Sequence, residues 1–330
     1  MLVAHYALHA NGTLVFALSA VALIPLAFVI GEATEHVAEH TGSRIGGFLN
    51  ASFGNAPELL IALFAISASL PDVVRGTLAG SVVSTALLVL GAAIAYGGGG
   101  GVDRSSLLLQ VCVLAAAVGL FLVPSIPGWT GDPNRHSLYL LTLPVAAVLL
   151  VLYVVMTTRN LRGTERPDAS ERPAETWTMR RGLAVLALAT VATAFVSDAL
   201  VGSLDRFVDA LGLSQFFVAV VIVALVGNAA EHGGAIVTAR RGNSGLGAEI
   251  AVSSATQVAV LVAPVVALLS GLIGKGLTLS FRPVEIATMG AAAFAVAAVI
   301  LDSRARRWEG YALLGGYALA VVAYGLSGDR

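Results

Sequence analysis

Apolar residues run in long blocks along almost the whole chain, separated by short polar punctuation. A bilayer core needs roughly 20 apolar residues of helix. Blocks of that kind fall near 12–31, 45–70, 74–96, 105–124 and 137–157, and again near 182–201, 214–239, 247–272, 284–301 and 309–326. The charge-rich stretch 158–180 divides them. The pattern predicts an all-α polytopic membrane protein of ten transmembrane helices. It reads as a first five-helix repeat over 1–157, a charged linker over 158–180 and a second five-helix repeat over 181–330. Five is odd, so the second set enters the bilayer from the opposite side. Two inverted five-helix repeats are the build of many secondary transporters. The first block lacks a basic segment before it and reads as a span, not a signal peptide.

Composition agrees. Of 330 residues 57% are hydrophobic and 12% charged, and mean hydropathy is +0.86. A soluble domain carries about twice that charged fraction. No basic patch suited to nucleic acid stands out, and the implied partner is the lipid bilayer. Cys112 is the only cysteine, which excludes an intramolecular disulfide and a cysteine metal site. With the amino terminus outside, 13 Arg/Lys fall in inside loops or the linker and six fall outside. The positive-inside bias thus predicts both termini outside and the linker cytoplasmic. A prokaryotic inner membrane fits the compact chain, and a homo-oligomer is compatible with it.

One pattern occurs twice. Gly54-Asn55-Ala56-Pro57-Glu58 is matched by Gly227-Asn228-Ala229-Ala230-Glu231, 173 positions on (54 to 227). Hydrocarbon does not solvate a carboxylate, so an acid inside an apolar block marks a site. On a helix, residues three apart share a face, so Asn55 lies with Glu58 and Asn228 with Glu231. Gly54 and Gly227 permit close approach or unwinding, and Pro57 removes an amide donor. Two carboxylates, two amide oxygens and freed carbonyls make an all-oxygen shell, suited to a hard cation such as Ca²⁺ with its six to eight or so ligands. Ser81 and Ser84 follow the first motif, and Ser254 and Gln257 follow the second at matching places. They are candidates to complete the shell or to hold the glutamates.

Other polar residues stand near these motifs. His232 adjoins Glu231 and titrates near neutrality, which suits proton coupling, but it points about 100° away on a helix. Glu35 and Asp198 lie nearer the membrane edges as a candidate cation vestibule. His36, Glu39 and His40 fit H-x-x-E-H, an inverted zinc-protease pattern, on a short charged connector with no third ligand in sight. Gly97–Gly101 reads as a flexible tether. IGEATEHVAEHTG (30–42) and VGSLDRFVDALGL (201–213) read as matching amphipathic connectors.

The stretches 46–66, 220–239 and 253–264 resemble the two signature regions of the calcium/proton exchanger family, within the calcium/cation antiporter superfamily. Similarity extends through 23–42 and 195–217. The resemblance implies two inverted five-helix repeats with the motif helices broken and crossing near the midplane. It implies that Glu58 and Glu231 bind cation and proton, with Asn55 and Asn228 as motif asparagines and His232 as the histidine after the second glutamate. The chain departs from the family at Asp198 (usually Glu), Thr85 (often Asn) and Pro57 (commonly Thr). The expected activity is Ca²⁺/H⁺ antiport by alternating access, with Ca²⁺ and H⁺ as transported ions and no cofactor. Alternatives are Na⁺/Ca²⁺ or monovalent cation/H⁺ exchange on the same frame, a channel, or, remotely, the zinc protease.

Overall fold

The computed structural model describes residues 11–97, 100–101, 104–163, 177–301 and 304–329, with the side chains of 42–48, 50–52, 160–163 and 304 outside that description. It is all-helical apart from one two-residue strand pair. In chain order the helices are α1 (Gly12–Gly54), α2 (Ala56–Ser67), α3 (Pro71–Gly97), α4 (Arg104–Gly128), α5 (His136–Gly163) and α6 (Met179–Gly202). There follow α7 (Leu204–Leu211), α8 (Gln215–Gly227), α9 (Ala229–Arg240), α10 (Ser244–Leu272), α11 (Pro283–Ile300) and α12 (Arg307–Ser327).

Among the described residues eight helices are long and apolar enough to cross a bilayer, or nine if the bent pair α7–α8 counts as one. The chain is a multi-pass integral membrane protein, but the expected count of ten is not reproduced. The reason lies at the motifs. Asn55 separates α1 from α2 and Asn228 separates α8 from α9, and the 12-residue helices α2 and α9 are too short to cross alone.

The first connector is corrected as well. Residues 30–42 are not a separate element but part of the 43-residue helix α1, which carries Pro25 inside it. In the second half the connector is its own helix, α7. Ser203 starts it, Gly212 (φ 65°) ends it, and the chain then bends by 114° into α8.

The repeat is visible position by position. Moving 173 residues along carries Ala56–Ser67 onto Ala229–Arg240 and the start of α3, Pro71, onto the start of α10, Ser244. Both α3 and α10 contain a widened π-helical turn at matching places, Ser84–Val89 and Val258–Val262. Such turns concentrate at functional sites. Between α2 and α3, Ser69 adopts φ 61°; its counterpart between α9 and α10 is Gly242, φ 94°.

Two ends of the bundle are fixed by polar contacts. At one end Lys275 Nζ donates to Ser69 Oγ (2.8 Å). Buried Arg75 there donates to Asp72 Oδ1 (2.6 Å), Asn134 Oδ1 (3.0 Å) and the Thr278 carbonyl (3.2 Å). Asp329 accepts from the backbone amides of Gln215 and Phe216 at that end. At the other end Ser244 Oγ donates to the Gly97 carbonyl (2.8 Å), and Gly100–Gly101 pair antiparallel with Arg304–Ala305. The tether reading of Gly97–Gly101 is therefore corrected for Gly100 and Gly101, whose backbone groups find partners in the facing segment; 98–99 lie outside the described residues. Helix α3 thus runs from the Arg75 end to the Ser244 end, and α10 runs back. The repeats are inverted.

Candidate functional site

Both motifs build the same local structure. Asn55 sits at φ −92°, ψ 14° and Asn228 at φ −93°, ψ 12°, which stops one helix and starts the next. Each glutamate falls in the first turn of the new helix, Glu58 in α2 and Glu231 in α9. A helix start concentrates unpaired amides and a partial positive charge, a setting that favours carboxylates.

The glutamates are placed crosswise. A methyl group on Gly54 would lie 3.4 Å from Glu231 Oε1, and one on Gly227 would lie 3.4 Å from Glu58 Cγ. Each motif's glycine therefore faces the other motif's carboxylate. A bulkier residue at either position would push the acids apart. This pairing of distant residues is what brings Gly54, Asn55 and Glu58 together with Gly227, Asn228 and Glu231.

The surrounding polar groups hold the asparagines from the opposite repeat. Asn228 Nδ2 donates to Ser81 Oγ (2.7 Å), and Asn55 Nδ2 donates to Gln257 Oε1 (3.2 Å). Ser254 Oγ donates to Glu231 Oε2. The two acids differ in surroundings. Glu58 is 1% exposed and neither of its carboxylate oxygens has a hydrogen-bond partner in another residue. Glu231 is half-buried and has Ser254. Asn228 Oδ1 is also buried without a partner, its amide donors being used elsewhere.

The remaining expectations divide. Ser84 is corrected: its hydroxyl bonds the Ser81 carbonyl of its own helix (3.2 Å), the local back-bond open to any helical serine. His232 is buried and meets Thr85 Oγ1 at 3.1 Å, so its ring is tied to α3 across the repeat boundary. Glu35 and Asp198 are exposed and lie toward opposite ends, so no common vestibule forms from them. His36 stacks on Trp177 (4.6 Å between centroids) and lies 3.5 Å from Glu39, while His40 Nδ1 lies 2.9 Å from the His36 carbonyl. Among the described residues no three His, Cys, Asp or Glu gather around one point. A hollow of about 460 Å³ lined by Ala92, Tyr96, Ile236 and Arg240 opens between α3 and α9 at the Ser244 end.

Sequence reasoning did not foresee the crosswise glycines, since only the fold tells which carboxylate a glycine faces. It also passed over Ser253, whose hydroxyl accepts from Gln257 Nε2 (3.1 Å). The four-residue spacing of Ser253 and Gln257 was the available signal.

Comparison with known proteins agrees with this architecture. Residues 11–161 and 181–325 match the family described as sodium/calcium exchanger protein. The Ca²⁺/H⁺ antiporter ChaA of Bacillus subtilis is 33% identical over 334 residues, which is 96% of this chain and 93% of that protein. The vacuolar calcium ion transporter of Schizosaccharomyces pombe is 33% identical over 330 residues, 95% of this chain and 79% of the relative. The solved structure of native YfkE is similar at a TM-score of 0.83 and 30% identity, covering 97% of this chain and 94% of that one.

Proposed function

This chain belongs to the sodium/calcium exchanger protein family, and we propose that it exchanges Ca²⁺ for H⁺ across a membrane by alternating access at the Glu58–Glu231 pair. The observation that carries the reading is Glu58, a fully buried carboxylate with no side-chain partner, set across from a second motif's backbone. A buried carboxylate without a counter-charge is strongly disfavoured. A proton on it, or a divalent cation against it, removes the penalty, and the site holds one or the other.

The exchange follows from that alternative. Two carboxylates with Ca²⁺ are close to neutral, and so are two protonated carboxyls. Either form can pass through the bundle, whereas an empty pair of charges cannot pass without a large penalty. Glu58, Glu231, Asn228 Oδ1 and the Asn55 side chain supply oxygen ligands, with backbone carbonyls at the two helix breaks. Gly54 and Gly227 keep the acids within reach of one ion. Ser254, Ser81 and Gln257 orient the ligands, and Thr85 orients His232 beside Glu231.

The distribution of arginine and lysine supports both termini outside and the linker inside, so a proton gradient directed inward would move Ca²⁺ out of the cytoplasm. A prokaryotic inner membrane is the proposed location.

Ca²⁺ uptake into proteoliposomes with an acidic lumen, with and without a protonophore, tests this. Uptake should vanish with the gradient and should fall by more than ~100-fold in Glu58→Gln and Glu231→Gln. A double variant that still transports, or uptake that requires Na⁺ instead of a pH gradient, overturns the mechanism or its coupling ion.

A further inference from the structure

A polar ladder leads from the Ser244 end of the bundle into the site. On α10, Glu249, Ser253 and Gln257 follow at four-residue steps and so share one face. Its inner end is tied to the motif: Gln257 bonds Ser253 and accepts from Asn55. Its outer end is a carboxylate. Glu249 is partly buried and accepts from Ser106 Oγ of α4 (3.1 Å). Gln110 Nε2, one turn further along α4, approaches Ser106 Oγ at 3.4 Å. Gln110 is 2% exposed, and its Oε1, on the same amide, is buried without a hydrogen-bond partner. A carboxylate and the serine hydroxyl bonded to it therefore stand about 12 Å along the helix from Gln257, with the buried Gln110 amide beside the serine.

Electrostatics give that cluster a task. The same end carries Arg240, Arg241, Arg306 and Arg307. Those charges repel an approaching divalent cation, and a carboxylate at the same end attracts it locally. The equivalent positions in the first repeat, Gly76, Gly80 and Ser84, offer neither a charge nor an amide.

We propose that Glu249, with Ser106 and Gln110, forms an outer Ca²⁺-binding position at the mouth of the Ser253–Gln257 ladder, from which the ion passes to the Glu58–Glu231 site. This rests on the Ca²⁺/H⁺ reading, and the test separates the two. Ca²⁺ uptake is measured at graded Ca²⁺ and at low and high ionic strength. Failure of the wild-type protein to transport Ca²⁺ would defeat the exchange reading itself. With wild-type transport present, Glu249→Gln should raise the KM for Ca²⁺ by ~5-fold or more at low salt, with the maximal rate within about two-fold. The difference should shrink at high salt, where the Debye length falls to about 3 Å at 1 M. Glu249→Asp should recover most of the affinity, and Ser106→Ala, which keeps the carboxylate, should shift KM less than Glu249→Gln. An unchanged KM in Glu249→Gln, or a shift that salt does not touch, overturns the proposal. Should Glu249→Gln fail to fold, Gln110→Leu carries the comparison: a KM equal to that of wild type overturns the proposal.

Discussion

On α3 the line Gly76, Gly80, Ser84 meets α8 so closely that a single added methyl on Gly80 would run into the Val220 carbonyl. On α10 the equivalent line is Glu249, Ser253, Gln257, whose side chains bond one another and α4 instead. This line of α3 is packed backbone to backbone, while the equivalent line of α10 carries polar side chains. Two units built on one plan thus stand in different local states. An inverted pair needs that difference, because a site reached from both ends at once would leak.

The clasp at the Arg75 end belongs to this asymmetry. Arg75 is 1% exposed and joins α3 to the segments 132–135 and 278. Its counterpart on α10 is Ala248. Removing the guanidinium leaves buried oxygens unpaired, so Arg75→Ala should cost about 3 kcal/mol, seen as a drop in melting temperature of several degrees. A stability loss below about 0.5 kcal/mol would mean that the clasp does not hold that end.

Less should follow from crowding the close contact. Gly80→Ala should destabilise by about 1–3 kcal/mol and slow Ca²⁺ uptake, whereas Ser253→Ala at the matching position should leave the melting temperature nearly unchanged. Equal effects at both positions would remove the distinction between a shut face and a polar one. The smallest contrast is in the turns. Ser69 and Gly242 share a left-handed backbone, so Gly242→Ser should cost roughly 1 kcal/mol, while Ser69→Gly relieves that strain but loses the Lys275 bond and should change stability by less than about 0.5 kcal/mol. Thermal melts of both variants check the sign.

Much of the fold was legible because it rests on local chemistry. Apolar blocks of bilayer length set the helices, and the repeated G-N-A-x-E marked Glu58 and Glu231 as acids in the wrong solvent. The count of spans was not legible. Asn55 interrupts its helix while its side-chain amide donates to Gln257 of the other repeat, a contact between residues 202 positions apart. Ser84 and Ser81 look alike in sequence, yet one bonds its own helix and the other bonds Asn228.

The sequence by itself determined that this chain spans a membrane, that it is duplicated at an interval of 173 residues and that two carboxylates stand where charge is disfavoured. These follow from side-chain solvation and periodicity, which each segment carries alone. Tertiary structure decided that Gly54 faces Glu231 and Gly227 faces Glu58, that His232 answers to Thr85, and that Ser106 of α4 bonds Glu249. Each of these is a contact between residues tens to hundreds of positions apart. No local preference encodes such a contact; it exists only once the two inverted repeats have packed against one another.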